Sequence, residues 1–171
     1  MKKLPLILLV LVVAVSGCQK DPPEPEDRAE VSFVLSQSHQ LKDDPVIPDF
    51  EYKCWNNFVD YAFVVVNGET YYLDVFYLQG IPYTQSIELS VSDKPYIIEE
   101  FILIYETGTP DDLSDDHIIM AAPHSSSIWG EYVTKPVDIS FDVTGVEQFE
   151  IEVEMLCYEE VFHDHFGFIY Y

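Results

Sequence analysis

Residues 137–155 read VDISFDVTGVEQFEIEVEM, and this stretch decides the fold. Every second residue in each half is apolar, and the residues between them are mainly Asp, Glu and Ser. Successive side chains of a strand point to opposite faces of a sheet, so this alternation predicts two strands with one buried and one solvated face. The residues expected to face the core are Val137, Ile139, Phe141, Val143, Phe149, Ile151, Val153 and Met155.

Further strand patterns precede this stretch. The dipeptide Asn67-Gly68 is favoured in type I′ turns, and it separates the β-rich runs Tyr61–Val66 and 70–77, which predicts a hairpin. Residues 97–105 are apolar on both faces apart from two glutamates, as is typical of a central strand. Shorter alternating runs lie at residues 31–35 and 87–91. About seven strands and no helical stripe predict an all-β, antiparallel β-sandwich in a single domain.

The composition excludes several classes of protein. The chain has 171 residues, with 8 Lys and Arg against 31 Asp and Glu, and its formal net charge is -23. A surface this acidic repels phosphate backbones, so we expect no nucleic-acid partner. The hydrophobic fraction of 48% is too high for an acidic disordered chain, so the composition indicates a folded domain.

The N-terminus has the pattern of an export signal. Lys2 and Lys3 precede an apolar run that is too short to span a bilayer, and the run ends in Val15-Ser16-Gly17-Cys18. This ending resembles the bacterial lipobox, in which the peptide is cut before a cysteine that carries acyl chains such as palmitate. The resemblance implies a lipoprotein signal peptide at residues 1–17 and lipidation of Cys18. The alternative is an ordinary secretory signal with an incidental cysteine.

The segment after the signal peptide is expected to act as a tether between the lipid anchor and the folded domain. Residues 18–29 comprise the lipidated cysteine and a segment rich in proline and acid, which favours neither helix nor sheet, and the β-sandwich domain spans residues 30–171. By resemblance to Gram-negative lipoproteins, Gln19 implies the outer membrane. The acidic stretch resembles the surface-export signal of Bacteroidetes lipoproteins, so we expect exposure on the cell surface. Any tether is polar, however, which leaves a periplasm-facing location open.

Five segments resemble a group of small lipoproteins of the Bacteroidetes. They are YAFVVVNG, YIIEEFILIYE, IIMAAPHSSS, IEVEMLCYEE and FGF, at residues 61–68, 96–106, 118–127, 151–160 and 166–168. The shared pattern is mainly the alternation of core residues, so it concerns lineage and fold. The resemblance implies a transthyretin-like or immunoglobulin-like β-sandwich, and it carries over no activity and no functional residue.

Two further cysteines belong to the exported domain. Cys54 precedes the hairpin, and Cys157 continues the inward face of the last strand after Met155. A disulfide between them would close a loop of 157 − 54 = 103 residues, as an oxidising compartment permits. The alternative is a pair of free, buried thiols.

Two groups of residues are candidate metal ligands. On an extended chain His163 and His165 would share one face, roughly 7 Å apart, but zinc needs further ligands that the sequence does not identify. The acidic residues 107–117 form a loop that could offer oxygen ligands to Ca²⁺, although the EF-hand order is missing. Its candidates are Asp111, Asp112, Asp115 and Asp116. Solvated polar side chains are the alternative in both cases.

Aromatic residues favour binding over catalysis. Tyr83, Trp129 and Tyr132 follow expected strands or loops, where exposed rings could stack on sugars or anchor a protein interface. The alternative is the general preference of sheets for aromatic residues. His124 and Ser125 cannot easily form a nucleophile pair, because adjacent strand residues point to opposite faces.

The sequence therefore predicts a lipid-anchored outer-membrane or surface lipoprotein that acts as a binding or assembly module for a glycan or a protein ligand. It predicts no enzyme activity and no cofactor. The alternative is a metal-binding protein or metal-dependent hydrolase that uses His163 and His165.

The anchor can be tested with the variant Cys18→Ala. We expect it to lose labelling by a fatty-acid analogue and to leave the membrane fraction or remain as a precursor, because the thiol accepts the lipid. Labelling that is unchanged in the variant would contradict the lipobox interpretation.

Overall fold

The computed structural model describes residues 27–37, 54, 59–106, 116–158 and 163–168 of the chain. Nearly all secondary structure in these ranges is strand, so the all-β class expected from the sequence is confirmed. The strands are β1 (Arg28–Gln37), β2 (Tyr61–Val66), β3 (Glu69–Leu78), β4 (Ile81–Thr84), β5 (Ile87–Ser90), β6 (Tyr96–Tyr105), β7 (His117–Ala121), β8 (Ile139–Phe141) and β9 (Gln148–Cys157). The described residues also form two short helical pieces, which are a 3-10 helix at Ile128–Tyr132 and the one-turn helix α1 at His163–Phe166.

The strands close into a barrel of seven. Hydrogen bonds join β2, β3, β4, β1, β9, β7 and β6 in this order, and β6 pairs back with β2. Strand β5 adds to β1, and β8 adds to β6, outside this circuit. The described strands thus form one closed sheet, where the sequence predicts the two sheets of a sandwich. The alternation does not distinguish the two architectures, because each gives every strand one inward face.

Two long strands close the ring by changing partners along their length. Strand β3 pairs with β2 as far as Asp74 and with β4 from Val75 onward. Strand β9 pairs with β1 as far as Met155 and then with β7 at Leu156 and Cys157. Each of these strands therefore belongs to both sides of the barrel and removes a free edge that a sandwich would leave.

One strand pair is parallel. Residues 30–37 of β1 run in the same direction as residues 148–155 of β9, with Glu30 opposite Gln148. The expected antiparallel arrangement is therefore wrong for this pair, although the other pairs of named strands in the described ranges are antiparallel. The first and last strands are joined by no hairpin, so no turn fixes their relative direction.

The inward side chains fill the barrel as the alternation predicts. Val31, Phe33 and Val153 are fully buried, whereas Glu152, next to Val153 on β9, is exposed. The Phe33 ring meets that of Phe101 on β6 edge-on, with the ring centroids 5.3 Å apart. The register predicted for the last strand is therefore confirmed.

The predicted β2–β3 hairpin is also present. Asn67 and Gly68 form its turn with φ of 50° and 78°, the positive values that a type I′ turn requires. The Asn67 side-chain oxygen accepts a hydrogen bond from the Ile97 amide at 2.8 Å, which fastens the turn to the start of β6.

A second apolar cluster lies outside the barrel on β6 and β7. Ile102, Ile104 and Ala121 pack there with Trp129 of the 3-10 helix and Phe166 of α1. These helical pieces explain why β6 is apolar on both faces: its outer face is buried too. In the described part of the chain, no helix is long and apolar enough to cross a membrane.

A disulfide joins Cys54 to Cys157, with their Cα atoms 5.6 Å apart. It connects the segment before β2 to the last residue of β9, across 103 positions of the sequence. In the chain-entropy description such a long closed loop restricts the unfolded state strongly.

The barrel core can be tested by comparing Phe33→Ala with Glu152→Ala. We expect Phe33→Ala to lower the free energy of unfolding by about 3–5 kcal/mol, because it empties a buried aromatic site. Glu152→Ala on the solvated face should change it by no more than about 0.5 kcal/mol. Denaturant unfolding measures both, and equal losses would contradict the inward and outward assignment.

The disulfide can be tested with Cys157→Ser. We expect the variant to lose about 2–5 kcal/mol of stability towards denaturant. Adding a thiol reductant should destabilise the wild type by a similar amount and leave the variant unchanged, because the variant has no bridge to reduce. A reductant effect of equal size in both proteins would contradict a stabilising role of this bridge.

Candidate functional site

The outer surface of the barrel has a cleft where β1 changes its neighbour. Residues 28–31 of β1 pair with β5, whereas Val34 pairs with Tyr83 of β4. Between these pairings, the Phe33 amide donates to the Thr84 hydroxyl oxygen at 3.1 Å rather than to a strand carbonyl. The connection between β4 and β5 leaves β1 at this point and opens a cleft of about 350 Å³.

Seven of the eight residues that line this depression have polar side chains, and we call it the outer cleft. Its floor is the outer face of the β1–β9 pair, where Glu30 lies opposite Gln148 and Ser32 lies opposite Glu150. The Gln148 side-chain amide donates to Glu30 Oε2 at 2.7 Å. The full lining consists of Glu30, Ser32, Phe76, Thr84, Gln85, Ser86, Gln148 and Glu150.

The outer cleft is negatively charged. Arg28 of β1 pairs with Glu88 of β5, at 3.4 Å between Nη1 and Oε2. Glu30 lies directly opposite Glu88 on the paired strands, which places two carboxylates side by side. Among the residues that the structure describes, no Lys or Arg forms an ion pair with Glu30 or Glu150. The charge of these two carboxylates is therefore not neutralised by a described basic residue.

The β3–β4 hairpin gives the outer cleft an apolar rim. Phe76 pairs with Tyr83 and Leu78 pairs with Ile81, so these four side chains lie on one side of the hairpin, which we call the hairpin face. Phe76, Leu78 and Ile81 are 44%, 54% and 46% exposed. The rings of Phe76 and Tyr83 stack at a centroid distance of 6.0 Å and an interplanar angle of 15°. Phe76 belongs to both the hairpin face and the cleft.

Two tyrosines on β3 remain neutral near physiological pH. Burial raises the pKa of Tyr71 to about 12, and its hydroxyl donates to the Glu69 carboxylate at 2.7 Å, which acts in the same direction. Burial also raises the pKa of Tyr77, whose hydroxyl lies near the Asp60 carboxylate. The hydroxyls of Tyr71 and Tyr77 therefore add no negative charge to β3.

The three aromatic residues predicted to bind a ligand do not share one site. Tyr83 is half-buried and supports Phe76 at the cleft rim. Trp129 is only 6% exposed and lies in the second apolar cluster, where its ring meets that of Tyr132 at 5.3 Å. The expectation that Trp129 offers an exposed ring is wrong, because the 3-10 helix turns it onto the outer face of β6.

The two histidines proposed as metal ligands lie on α1. Positions two apart on a helix do not share a face, so the expected common face of an extended chain is wrong. The His165 ring packs against Trp129, with the ring centroids 5.6 Å apart. His165 therefore contributes to the second apolar cluster.

The acidic loop is described only at its end. Asp116 accepts a hydrogen bond from the Tyr61 hydroxyl. No group of three or more His, Cys, Asp or Glu side chains within the described ranges could hold a metal ion. Asp111, Asp112, Asp115 and the side chain of His163 lie outside the described residues.

A polar cluster forms at the bridge between His124 and Val137. The Ser125 hydroxyl donates to Asp138 Oδ2 at 2.8 Å, and His124 Nδ1 lies 3.5 Å from the same oxygen. Asp138 has a φ of 76°, a conformation that residues other than glycine rarely adopt. The hydroxyl thus bonds to a carboxylate rather than to the imidazole, and the two residues form no nucleophile pair.

The residues of the outer cleft carry no local sequence signal. The alternation places Glu150 on the outer face, but nothing in the sequence indicates that β9 lies beside β1. Glu30 and Gln148 meet only through that pairing. The pattern around Phe76 is that of an ordinary strand aromatic, and nothing local to it indicates that the ring is exposed at a cleft.

Comparisons with known proteins give little further information. No family model matches the chain, and no curated protein matches it. Among solved structures, the chain is similar to a leucine-rich repeat protein from Bacteroides thetaiotaomicron, with a TM-score of 0.40 and 14% sequence identity. The similarity covers 75% of this chain and 12% of that protein, and at this TM-score it supports no conclusion about fold or function.

Proposed function

We propose that this protein is a lipid-anchored binding module that holds a glycan in the outer cleft and does not catalyse a reaction. One observation carries the proposal: carboxylates, amides and hydroxyls share a concave site with an exposed aromatic ring. Small-molecule sites are concave and combine apolar surface with a few convergent polar groups. The cleft volume of about 350 Å³ lies within the range of such sites.

The polar lining suits the hydroxyl groups of a sugar. A carboxylate accepts two or more hydrogen bonds, and a glutamine amide both donates and accepts, so Glu150 and Gln85 could bind adjacent hydroxyls in opposite senses. Gln148 already donates one hydrogen bond to Glu30 and keeps its carbonyl oxygen as an acceptor. A ligand rich in hydroxyls would satisfy these groups better than an apolar ligand.

The aromatic rim suits the apolar face of a sugar ring. Phe76 is 44% exposed and its ring stacks on that of Tyr83 across the strand pair, which restricts its orientation and leaves part of it accessible to a ligand. A rigid flat ring contributes contact area at a low cost in conformational entropy. The same residues would orient a sugar above the β1–β9 floor.

The proposed location of the module is supported by its N-terminal sequence. The basic residues, the apolar run and the lipobox-like ending at Cys18 support acylation, and Gln19 with the acidic tether supports the outer membrane and display on the cell surface. Strand β1 begins at Arg28, ten positions after Cys18 and inside the expected tether, so an anchor at Cys18 would keep the cleft near the membrane.

The finer architecture is also a proposal. We propose that the barrel is flattened into two packed layers, as in transthyretin-like or immunoglobulin-like sandwiches. The partner changes of β3 and β9 support this arrangement, because each strand passes from one layer to the other at a defined residue. Flattening would also bring Phe33 of β1 against Phe101 of β6 across the core.

A protein ligand is the second candidate, and the hairpin face favours it. Leu78 and Ile81 are each about half exposed at the end of the hairpin, on a chain whose net charge is -23. Apolar side chains gathered at one exposed place are typical of protein contacts. This contact would lie next to the outer cleft, so an assembly partner and a glycan could be held side by side.

Glycan binding can be tested with the full-length protein in detergent micelles on a glycan array, followed by calorimetry with the best ligand. We expect Phe76→Ala to weaken binding at least tenfold, because it removes the surface on which the ring stacks. Gln148→Ala should weaken it to a similar extent by removing a hydrogen-bonding group from the floor.

Tyr105→Ala is the matched control for these variants. Tyr105 is an aromatic residue on β6 that is 40% exposed and does not line the cleft, so its loss should leave the affinity within twofold. An array without any bound glycan would overturn the proposal, as would equal weakening by Tyr105→Ala and Phe76→Ala.

A further inference from the structure

The charge of the outer cleft identifies the class of glycan. We infer that the cleft prefers sugars with a protonated amino group over the corresponding neutral sugars, and that it rejects sugars with carboxylate or sulfate groups. This inference rests on the proposed function and adds the chemistry of its ligand. It is carried by Glu30 and Glu150, which lie on neighbouring strands at the cleft floor.

No described basic residue forms an ion pair with Glu30 or Glu150, so both carboxylates can interact with a cationic ligand. The basic residue of β1, Arg28, is 3.4 Å from Glu88, and Lys135 is 3.8 Å from Glu152 farther along β9. In the described ranges the hydrogen bond that Glu30 receives comes from the neutral amide of Gln148. A protonated amine placed between Glu30 and Glu150 would donate to both and reduce their repulsion.

The remaining lining suits the same cation. The exposed ring of Phe76 lines the same cleft as the carboxylates, and the face of an aromatic ring attracts a cation within about 6 Å. The hydroxyls of Ser32 and Ser86 can accept the other protons of an ammonium group. Anionic sugars would meet two carboxylates without a described basic partner, which gives selectivity by repulsion.

The charge of the whole chain acts in the same direction. With a formal net charge of -23, the protein attracts cationic ligands and repels anionic ones before contact. This long-range effect is screened within about 8 Å at physiological salt, so preference that persists there comes from the cleft itself. The test is therefore made at physiological ionic strength.

The experiment compares oligosaccharides of equal length and linkage by calorimetry on the full-length protein in micelles. The probes are β-1,4-linked glucosamine with its amines protonated, its N-acetylated form, and an oligomer of glucuronic acid. We expect the amino form to bind about tenfold tighter than the N-acetylated form, because hydrogen bonds to a charged group are stronger than neutral ones. We expect no binding of the uronic acid.

Charge-neutral variants assign the preference to the cleft. Glu150→Gln should abolish the preference, so that the amino and N-acetylated forms bind this variant with equal affinity. Glu152→Gln is the control, since it removes the same charge from the same face of β9 two residues away, outside the cleft. It should keep the preference, and Glu30→Gln provides a second variant at the cleft.

The outcomes separate this inference from the proposed function. Equal binding of the amino and N-acetylated forms would overturn the inference and leave glycan binding in place. Loss of the preference in Glu152→Gln as well as in Glu150→Gln would also overturn it, by assigning the effect to overall charge. Tighter binding of a lysine-rich peptide than of the amino form would overturn the saccharide assignment, and no binding of any saccharide would overturn both proposals.

Discussion

The parallel pairing of β1 with β9 is the constraint on which the rest of the barrel depends. It joins the first and last described strands over residues 30–37 and 148–155, and without it the sheet would end in two open edges. Its register places Val31, Phe33 and Val153 in the core together. A shift by one residue would turn the glutamates of β9 inward, where unpaired carboxylates are far too costly to bury.

The outer cleft is a consequence of how β1 is shared. On one side β1 pairs with β9 along most of its length, but on the other side it is divided between β5 and β4. Between the two pairings, the Thr84 hydroxyl accepts a hydrogen bond from the Phe33 amide. This backbone donor is therefore satisfied although the connection from β4 to β5 does not pair with β1 there. A barrel with one continuous partner for β1 would have a flat outer face here. The gap in the pairing thus provides the concave site, and the alternation of β1 and β9 provides its polar floor.

The sequence predicts the strands and their faces well but not their neighbours. Alternation identifies the inward residues of β9, and Asn67-Gly68 identifies the hairpin, because both signals lie within a few residues. The pairing of β1 with β9 joins residues more than 100 positions apart and leaves no trace in either segment, so the cleft could not be predicted. The predicted exposure of Trp129 and the predicted common face of His163 and His165 are wrong for a related reason, because short helical pieces pack onto the apolar outer face of β6.

The stability of the sheet does not account for the carboxylate of Glu30 in the cleft. Glu30 lies directly opposite Glu88 on an antiparallel pair, an arrangement of like charges that destabilises a sheet by a few tenths of a kcal/mol. Arg28 neutralises Glu88 at an exposed position and leaves Glu30 with a neutral amide as its partner. Folding alone would be served as well by an uncharged side chain at position 30, since this face is solvated. A cation bound as proposed would reduce the repulsion between Glu30 and Glu150, and the folded protein would then bind it more tightly than the unfolded chain does. Under the proposed function, the two residues would weaken the empty barrel slightly and stabilise the occupied one, as is expected of a binding site.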